Sequence, residues 1–283
     1  MRLTRMGIEA LRAFWEILRP LNCAMAGIAA VIGLAITSSQ NLRILILIFL
    51  AVFLIAGAGN AVNDYYDRAI DAVNRPKRPI PSGRIGSQTA LRYSLLLFAA
   101  GCIMAGVVNQ ICLGVAVLNS ALLIFYARSL KATPLAGNIC VAFLTGSTFL
   151  FGGGAAGVAG LLANKVPFFL SFLATMSREI MKDVEDIEGD RLGGAKTLPI
   201  LAGARTASAL AAAFAALAVA LSFTAPFGMA YMAIVAVADL FFLASITIMA
   251  RGDAAGSQRA LKIGMAFALA AFLAGALHQM EIL

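Results

Sequence analysis

The sequence predicts an all-α, polytopic membrane protein, and three observations predict it. Hydrophobic residues fill 61% of the 283 positions, charged residues only 13%, and the mean hydropathy is +0.90, against roughly 45–50% apolar usage in soluble domains. Segments such as Ile44 to Ala58 are apolar all round, without the polar face that a soluble helix turns to water. Apolar runs of bilayer-crossing length then recur through the chain, separated by short polar connections.

Taken in order, "RLTRMGIEALRAFWEILRP" places Arg5, Glu9, Arg12, Glu16 and Arg19 on one helical face, with Met6, Ile8, Leu11, Trp15 and Leu18 elsewhere on the wheel. Residues 1–20 are therefore expected to form an amphipathic helix lying in the membrane interface, broken at Pro20. The stretch lacks the short apolar core and small-residue cleavage site of a signal peptide. Spans are predicted near 21–37, 42–62, 91–108, 111–127, 135–156, 166–182, 206–223, 227–249 and 263–279, nine in all. Several are short and rich in Gly, Ala and Ser, which predicts close helix packing within one transmembrane domain, 1–283.

Of the 22 Lys and Arg residues, all but Arg43 and Lys165 fall on the side of the amino terminus. The bias predicts a cell-membrane protein with its amino terminus and a polar cap in the cytoplasm and its carboxy terminus outside. A net charge of +8 then describes a one-sided surface suited to anionic lipid headgroups or phosphorylated substrates, not to nucleic acid. Cys23, Cys102, Cys112 and Cys140 lie in apolar spans without metal-ligand spacing and read as small hydrophobes.

The polar exceptions carry the functional signal. In "NAVNDYYDRAID", Asn60, Asp64, Asp67 and Asp71 are spaced i, i+4, i+7 and i+11, on one helical stripe beside Asn63. "EIMKDVEDIEGD" repeats that register 119 residues later with Glu179, Asp183, Asp186 and Asp190. Each block ends an apolar helix on the side read as cytoplasmic, and each is followed by a basic, Pro-containing loop, "NRPKRPIPSGR" and "RLGGAKTLPILAG". The repetition predicts two matching halves contributing to one site. Facing carboxylate clusters in a low dielectric require cations. Hard oxygen ligands select Mg²⁺, which binds through one or two carboxylates plus substrate phosphates. Arg75, Lys77, Arg78, Lys131, Arg178 and Lys196 would add phosphate contacts, and Arg84 thickens the same cluster. A diphosphate site beside an apolar interior points to a polyprenyl diphosphate substrate.

"NDYYDRAID", "DVEDIEGD" and the segment "YARSLKATPLAGNICVA" between them resemble motifs of the UbiA superfamily of membrane-embedded prenyltransferases, and the resemblance spans essentially the whole chain. It implies nine helices around a central cavity, with Mg²⁺ bridging both motifs to a prenyl diphosphate. Asn60, Asn63, Asp64, Asp67 and Asp71 match the first motif; Asp183, Asp186 and Asp190 match the second. The implied metal ligands are Asn60, Asp64, Asp67, Asp71, Asp183, Asp186 and Asp190, with Asp64, Asp67, Asp183 and Asp186 catalytic. Tyr126, Lys131 and Asn138 match the middle segment, Lys131 as a phosphate contact. "GNAVNDYYDRAIDAVNRPKRPIPSG" with "SREIMKDVEDIEGD" and "GAKTLP" is similar to the archaeal ether-lipid branch. That branch transfers a geranylgeranyl group from geranylgeranyl diphosphate to the hydroxyl of geranylgeranylglyceryl phosphate, a lipid-like phosphate acceptor. The chlorophyll and tocopherol branch shares "EGD", so an aromatic acceptor stays open. No obligate protein partner is implied.

The expected mechanism is dissociative, with the allylic cation shielded from water. The acceptor proton goes either to a second-motif carboxylate or to the released diphosphate. Phe143, Phe149 and Phe151 could face the cation, or could simply pack. Asp239 reads equally as a functional acid or a helix–helix hydrogen bond, His278 as interfacial, and "FGGGAAGVAG" as a flexible helix end. A divalent-cation transporter would account for the carboxylates, but not for the cations crowded beside them.

Overall fold

The computed structural model describes residues 2–281, with the side chains of residues 9–280. The side chains of Arg5, Met6 and Ile8 in the expected amphipathic helix lie outside the described residues. In chain order the helices are α1 (Arg2–Leu18), α2 (Pro20–Ala35), α3 (Leu42–Tyr66), α4 (Arg68–Asn74), α5 (Ser87–Val108) and α6 (Gln110–Phe125). A π-helical turn, Tyr126–Leu130, is followed by α7 (Ala136–Gly154), α8 (Val158–Ala163), α9 (Lys165–Glu185), α10 (Ile187–Leu192) and α11 (Leu198–Ala202). The last three are α12 (Ala204–Ser222), α13 (Gly228–Ala250) and α14 (Ala254–Glu281). Among the described residues there is no strand.

A helix covers each of the nine segments expected to span, but seven of the described helices are long and apolar enough to cross a membrane by themselves. The two exceptions have local causes. Helix α2 has only 16 residues and reaches spanning length only together with Glu9–Leu18, from which it is bent by 46°. Helix α9 ends in the charged run of the second acidic stripe, so its mean apolarity falls. Starts are fixed locally: Asn41 Oδ1 accepts from Ile44 N at 3.2 Å ahead of α3, and Asn109 Oδ1 from Cys112 N at 2.8 Å ahead of α6.

The helices fall into two compact units, residues 1–31 with 41–128 and residues 32–40 with 129–283, and each carries one acidic stripe. In the first unit α1 does more than float on a lipid surface. Its Ala13, Ile17 and Leu18 are buried with Ala61 of α3, Ile85 of the following loop and Ala90 of α5, while Leu11 and Trp15 stay exposed. The helix ends at Arg19, a non-glycine residue at φ +54°. A left-handed backbone costs an L-residue roughly 1–2 kcal/mol, so the break before Pro20 is held by its surroundings.

In the second unit the buried Asn164 is a hub, its Nδ2 donating to Gly33 O at 2.8 Å and to Gly160 O at 3.0 Å. "FGGGAAGVAG" is a helix end, as expected, but a tightly packed one: a Cβ on Gly153 would collide with the Asn164 side chain and the Gly160 carbonyl. Phe149 and Phe151 are buried, Phe149 edge-on to Phe272, and Phe143 packs edge-on to Phe168, so packing accounts for all three. Ser222 Oγ donates to Asp239 Oδ2 at 2.8 Å, which makes Asp239 a helix–helix tie between α12 and α13. His278 packs on Gly228.

A Cβ on Gly33 would stand 2.5 Å from Phe149 O, a backbone atom that cannot step aside. Gly33→Ala is expected to destabilise the protein by about 1–3 kcal/mol through overpacking. Thermal unfolding in detergent checks this, and an unchanged midpoint would contradict the contact.

Candidate active site

Both acidic stripes are built in the same way. Helix α3 stops at Asp67 (φ −78°, ψ −2°) and α4 starts at once; α9 stops at Asp186 (φ −93°, ψ 8°) and α10 starts at once. The helical hydrogen bonds run through each break: Asp67 N to Asn63 O and Asp186 N to Lys182 O at 2.9 Å, then Asp71 N to Asp67 O at 2.8 Å and Asp190 N to Asp186 O at 2.9 Å. The third residue of the repeat thus marks the same interruption 119 residues apart, and the stripe keeps its register across it.

The surroundings of the carboxylates differ between the units. In the first, Asp64 is 4% exposed, and its Oδ1 accepts from Arg19 Nη2 at 2.6 Å and Arg78 Nη1 at 3.2 Å. The same Arg78 Nη1 reaches Asp71 Oδ2 at 2.6 Å. Two arginines from irregular chain therefore hold two buried aspartates in a neutral quartet. Asn63 Nδ2 donates to Asp67 Oδ2 at 2.8 Å, and Asn60 Nδ2 donates to Leu18 O at 2.7 Å, fastening α3 to the α1–α2 break. In the second unit, Asp183 Oδ2 accepts from Asn138 Nδ2 at 2.9 Å, a neutral donor in the first turn of α7. Asn138 follows Leu135, which like Arg19 has a left-handed backbone, φ 58°. Asp190, beyond the apolar helix, lies above the usual carboxylate range because of burial and the neighbouring Asp186, tempered by the Thr197 hydroxyl, Lys182 and Lys131. Lys196 N donates to Ala132 O at 3.0 Å, joining the Lys131 loop to the loop after the second stripe.

The remaining predicted residues divide into two groups. Exposed Arg75 and Lys77 line, with Arg78, Asn74, Pro76 and Glu16, a recess of about 350 Å³ in the first unit. Tyr126 opens the π-helical turn that leads to Lys131, an irregularity common at functional sites. Arg84, expected in the phosphate-binding cluster, is instead engaged by Glu16: Nη1 to Oε2 at 2.6 Å and Nη2 to Oε1 at 2.9 Å, with Nη2 also on Lys77 O at 2.7 Å. This pair holds the Glu16 carboxyl below its ordinary range. Arg178 Nη1 is on the adjacent Glu179 Oε1 at 2.6 Å, with Lys182 Nζ on Oε2 at 3.5 Å, so the first acid of the second stripe serves its own helix. Sequence reasoning missed Arg19, whose only signal was its place at the end of an amphipathic helix, just before a proline.

Among the described residues no three His, Cys, Asp or Glu side chains converge on one metal position. The donor set nevertheless suits a hard cation, since both stripes present carboxylate oxygens and the first adds the carboxamide oxygens of Asn60 and Asn63. Mg²⁺ keeps waters and completes its shell from substrate phosphates, so it does not require an all-protein cage.

Residues 24–277 match the UbiA prenyltransferase family. Over 262 residues the chain is 53% identical to the digeranylgeranylglyceryl phosphate synthase of Methanothrix thermoacetophila, covering 92% of this chain and 97% of that one. Its counterpart in Methanosarcina mazei is 47% identical over 284 residues, covering 94% and 98%. A solved structure of a digeranylgeranylglyceryl phosphate synthase superposes with a TM-score of 0.83 at 34% identity, covering 95% of this chain and 99% of that one. A UbiA homologue from Archaeoglobus fulgidus bound to GPP and Mg²⁺ shares the fold, with a TM-score of 0.69 at 20% identity and coverage of 90% and 99%.

Asn138 offers a direct test of the second stripe. Asn138→Ala removes a hydrogen bond to a carboxylate, worth about 1.5–3 kcal/mol. Asn138→Asp removes the same bond and adds like-charge repulsion at neutral pH. The expected order of thermal midpoints is wild type above Asn138→Ala above Asn138→Asp, and an Asp variant as stable as wild type would refute the contact.

Proposed function

The chain belongs to the UbiA prenyltransferase family, and from that premise we propose that it transfers a geranylgeranyl group from geranylgeranyl diphosphate to the hydroxyl of geranylgeranylglyceryl phosphate. The allylic C–O bond to diphosphate breaks, an ether C–O bond forms to the acceptor oxygen, and diphosphate and the hydroxyl proton leave. The product carries the second ether bond of an archaeal membrane lipid. The observation that carries this reading is the end-to-end likeness, 53% identity over 92% of the chain, to a digeranylgeranylglyceryl phosphate synthase.

Both stripes serve one diphosphate in this proposal, as their shared register and shared break support. Asp64, Asp67, Asp71, Asp183, Asp186 and Asp190, with the carboxamide of Asn60, would hold Mg²⁺. When bound, the metal screens the charge that builds on the departing diphosphate. Lys131, beside Asp190, and Lys196, on the loop joined to it, bind diphosphate oxygens, while Asn138 orients Asp183 and the Tyr126 turn presents Lys131. Arg75 and Lys77, lining the first-unit recess, bind the phosphate of the acceptor, with Arg78 at its edge. The membrane-spanning helices exclude water from the allylic cation until the acceptor oxygen attacks. The positive-charge bias puts the amino terminus and both stripes on the cytoplasmic side, and the carboxy terminus outside.

Purified protein in detergent, given geranylgeranyl diphosphate, Mg²⁺ and an equal mixture of geranylgeranylglyceryl phosphate and 4-hydroxybenzoate, is expected to prenylate the glyceryl phosphate. Chelation should abolish turnover and added Mg²⁺ restore it. Preference for the aromatic acid would remove the acceptor assignment, and full turnover in excess chelator would remove the metal.

The division of the cations makes a second test. A lost charge-assisted contact costs roughly 1.5–3 kcal/mol, or about ten- to a hundred-fold in affinity. Lys77→Ala is expected to raise KM for the glyceryl phosphate by that factor with little change for the prenyl diphosphate, and Lys131→Ala to do the reverse. Equal effects of each variant on both substrates would refute the assignment.

A further inference from the structure

The quartet of Arg19, Asp64, Asp71 and Arg78 carries an inference about how the first stripe handles its metal, and it rests on the metal reading above. Asp64 Oδ1 accepts two guanidiniums, at 2.6 and 3.2 Å, and Asp71 Oδ2 a third contact at 2.6 Å. A divalent cation at Asp64 would bind the same carboxylate whose charge the two guanidiniums already match. Two positive and two negative charges already balance there, so adding a metal with the guanidiniums in place would leave a strongly positive, half-buried cluster. Adding metal and a diphosphate together restores the balance, because the polyanion offers the arginines new acceptors in bidentate geometry.

We propose that Arg19 and Arg78 are internal stand-ins for the metal at the first stripe, and that arrival of the metal with diphosphate moves their guanidiniums from Asp64 and Asp71 onto phosphate oxygens. Their placement suits the exchange. The two aspartates are fixed in helical turns and nearly fully buried, whereas Arg19 sits at the left-handed α1–α2 break, 35% exposed, and Arg78 sits in the irregular loop after α4. At the corresponding acid of the second stripe, Asp183 is held by the neutral Asn138, and a metal there displaces no cation from that bond. Metal and diphosphate therefore bind the first stripe with positive coupling, and both arginines are positioning residues that set the coupling.

The test uses Mn²⁺ as a paramagnetic probe and inorganic diphosphate as the anion, with no turnover required. In the wild type, Mn²⁺ affinity is expected to rise when diphosphate is added. Arg19→Gln and Arg78→Gln should each bind Mn²⁺ alone about tenfold more tightly than wild type and gain less from diphosphate. Arg19→Lys and Arg78→Lys, which keep the charge, should behave as wild type. In chelator, Arg78→Gln should unfold about 5–10 °C below wild type, as an exposed half of a buried pair does, and Mn²⁺ should recover much of the loss. Gln variants that bind Mn²⁺ no more tightly than wild type overturn the exchange while leaving the metal reading intact. A wild type that binds no Mn²⁺ with or without diphosphate overturns both. Should Arg78→Gln fail to fold, Arg19→Gln and the Lys variants decide the question by the same Mn²⁺ titration.

Discussion

Buried carboxylates at the ends of apolar helices impose the constraint on which the rest of the first unit depends. Asp64 and Asp71 sit one above the other on a helical stripe, nearly excluded from water, where each unmatched charge would cost several kcal/mol. The chain answers with Arg19 and Arg78, neither of which belongs to the stripe. Arg19 is delivered by α1, whose Ala13, Ile17 and Leu18 are packed against α3, α5 and the loop between them. Arg78 is delivered by the loop after α4, and that loop is fastened back to α1 through the fork of Arg84 on Glu16. The amphipathic helix is thus a structural arm of the first unit. The strained backbone of Arg19 follows from the same demand, because the chain must turn sharply there both to start α2 and to aim a guanidinium at Asp64.

The second unit meets the same stripe with different chemistry. Its geometry repeats the break at the third residue of the register to within 15° of backbone, yet the donor to the second acid is a carboxamide in place of an arginine. A neutral donor orients Asp183 without cancelling its charge. Asp64 and Asp71 are matched by guanidiniums whereas the donor to Asp183 carries no charge, a difference that identical spacing in the sequence conceals.

Close packing in the second unit comes from small residues. Where Gly33 approaches Phe149 O and Gly153 approaches Gly160 O, the backbones are too close for any side chain, and Asn164 bonds the carbonyls that this approach exposes. In an apolar medium the hydrophobic effect does little to hold helix against helix, so such contacts and buried ties like Ser222 to Asp239 take over that work.

The sequence by itself determined the helical, membrane-embedded class, the position of every long helix and the two stripes, because apolar run length and i, i+4, i+7, i+11 spacing are properties of the chain read locally. It also contained the family resemblance that the full-length comparisons bear out. Local reading could not say that Arg84 is consumed by Glu16, that Arg178 turns to the neighbouring Glu179, that Asn60 fastens Leu18 O or that Arg19 reaches Asp64. In a chain where so many cations crowd the stripes, composition says only that the carboxylates will be matched. Which cation matches which acid depends on where α1 and the loop after α4 pack, through contacts between residues 45 and 68 positions apart, and only the tertiary structure decides that.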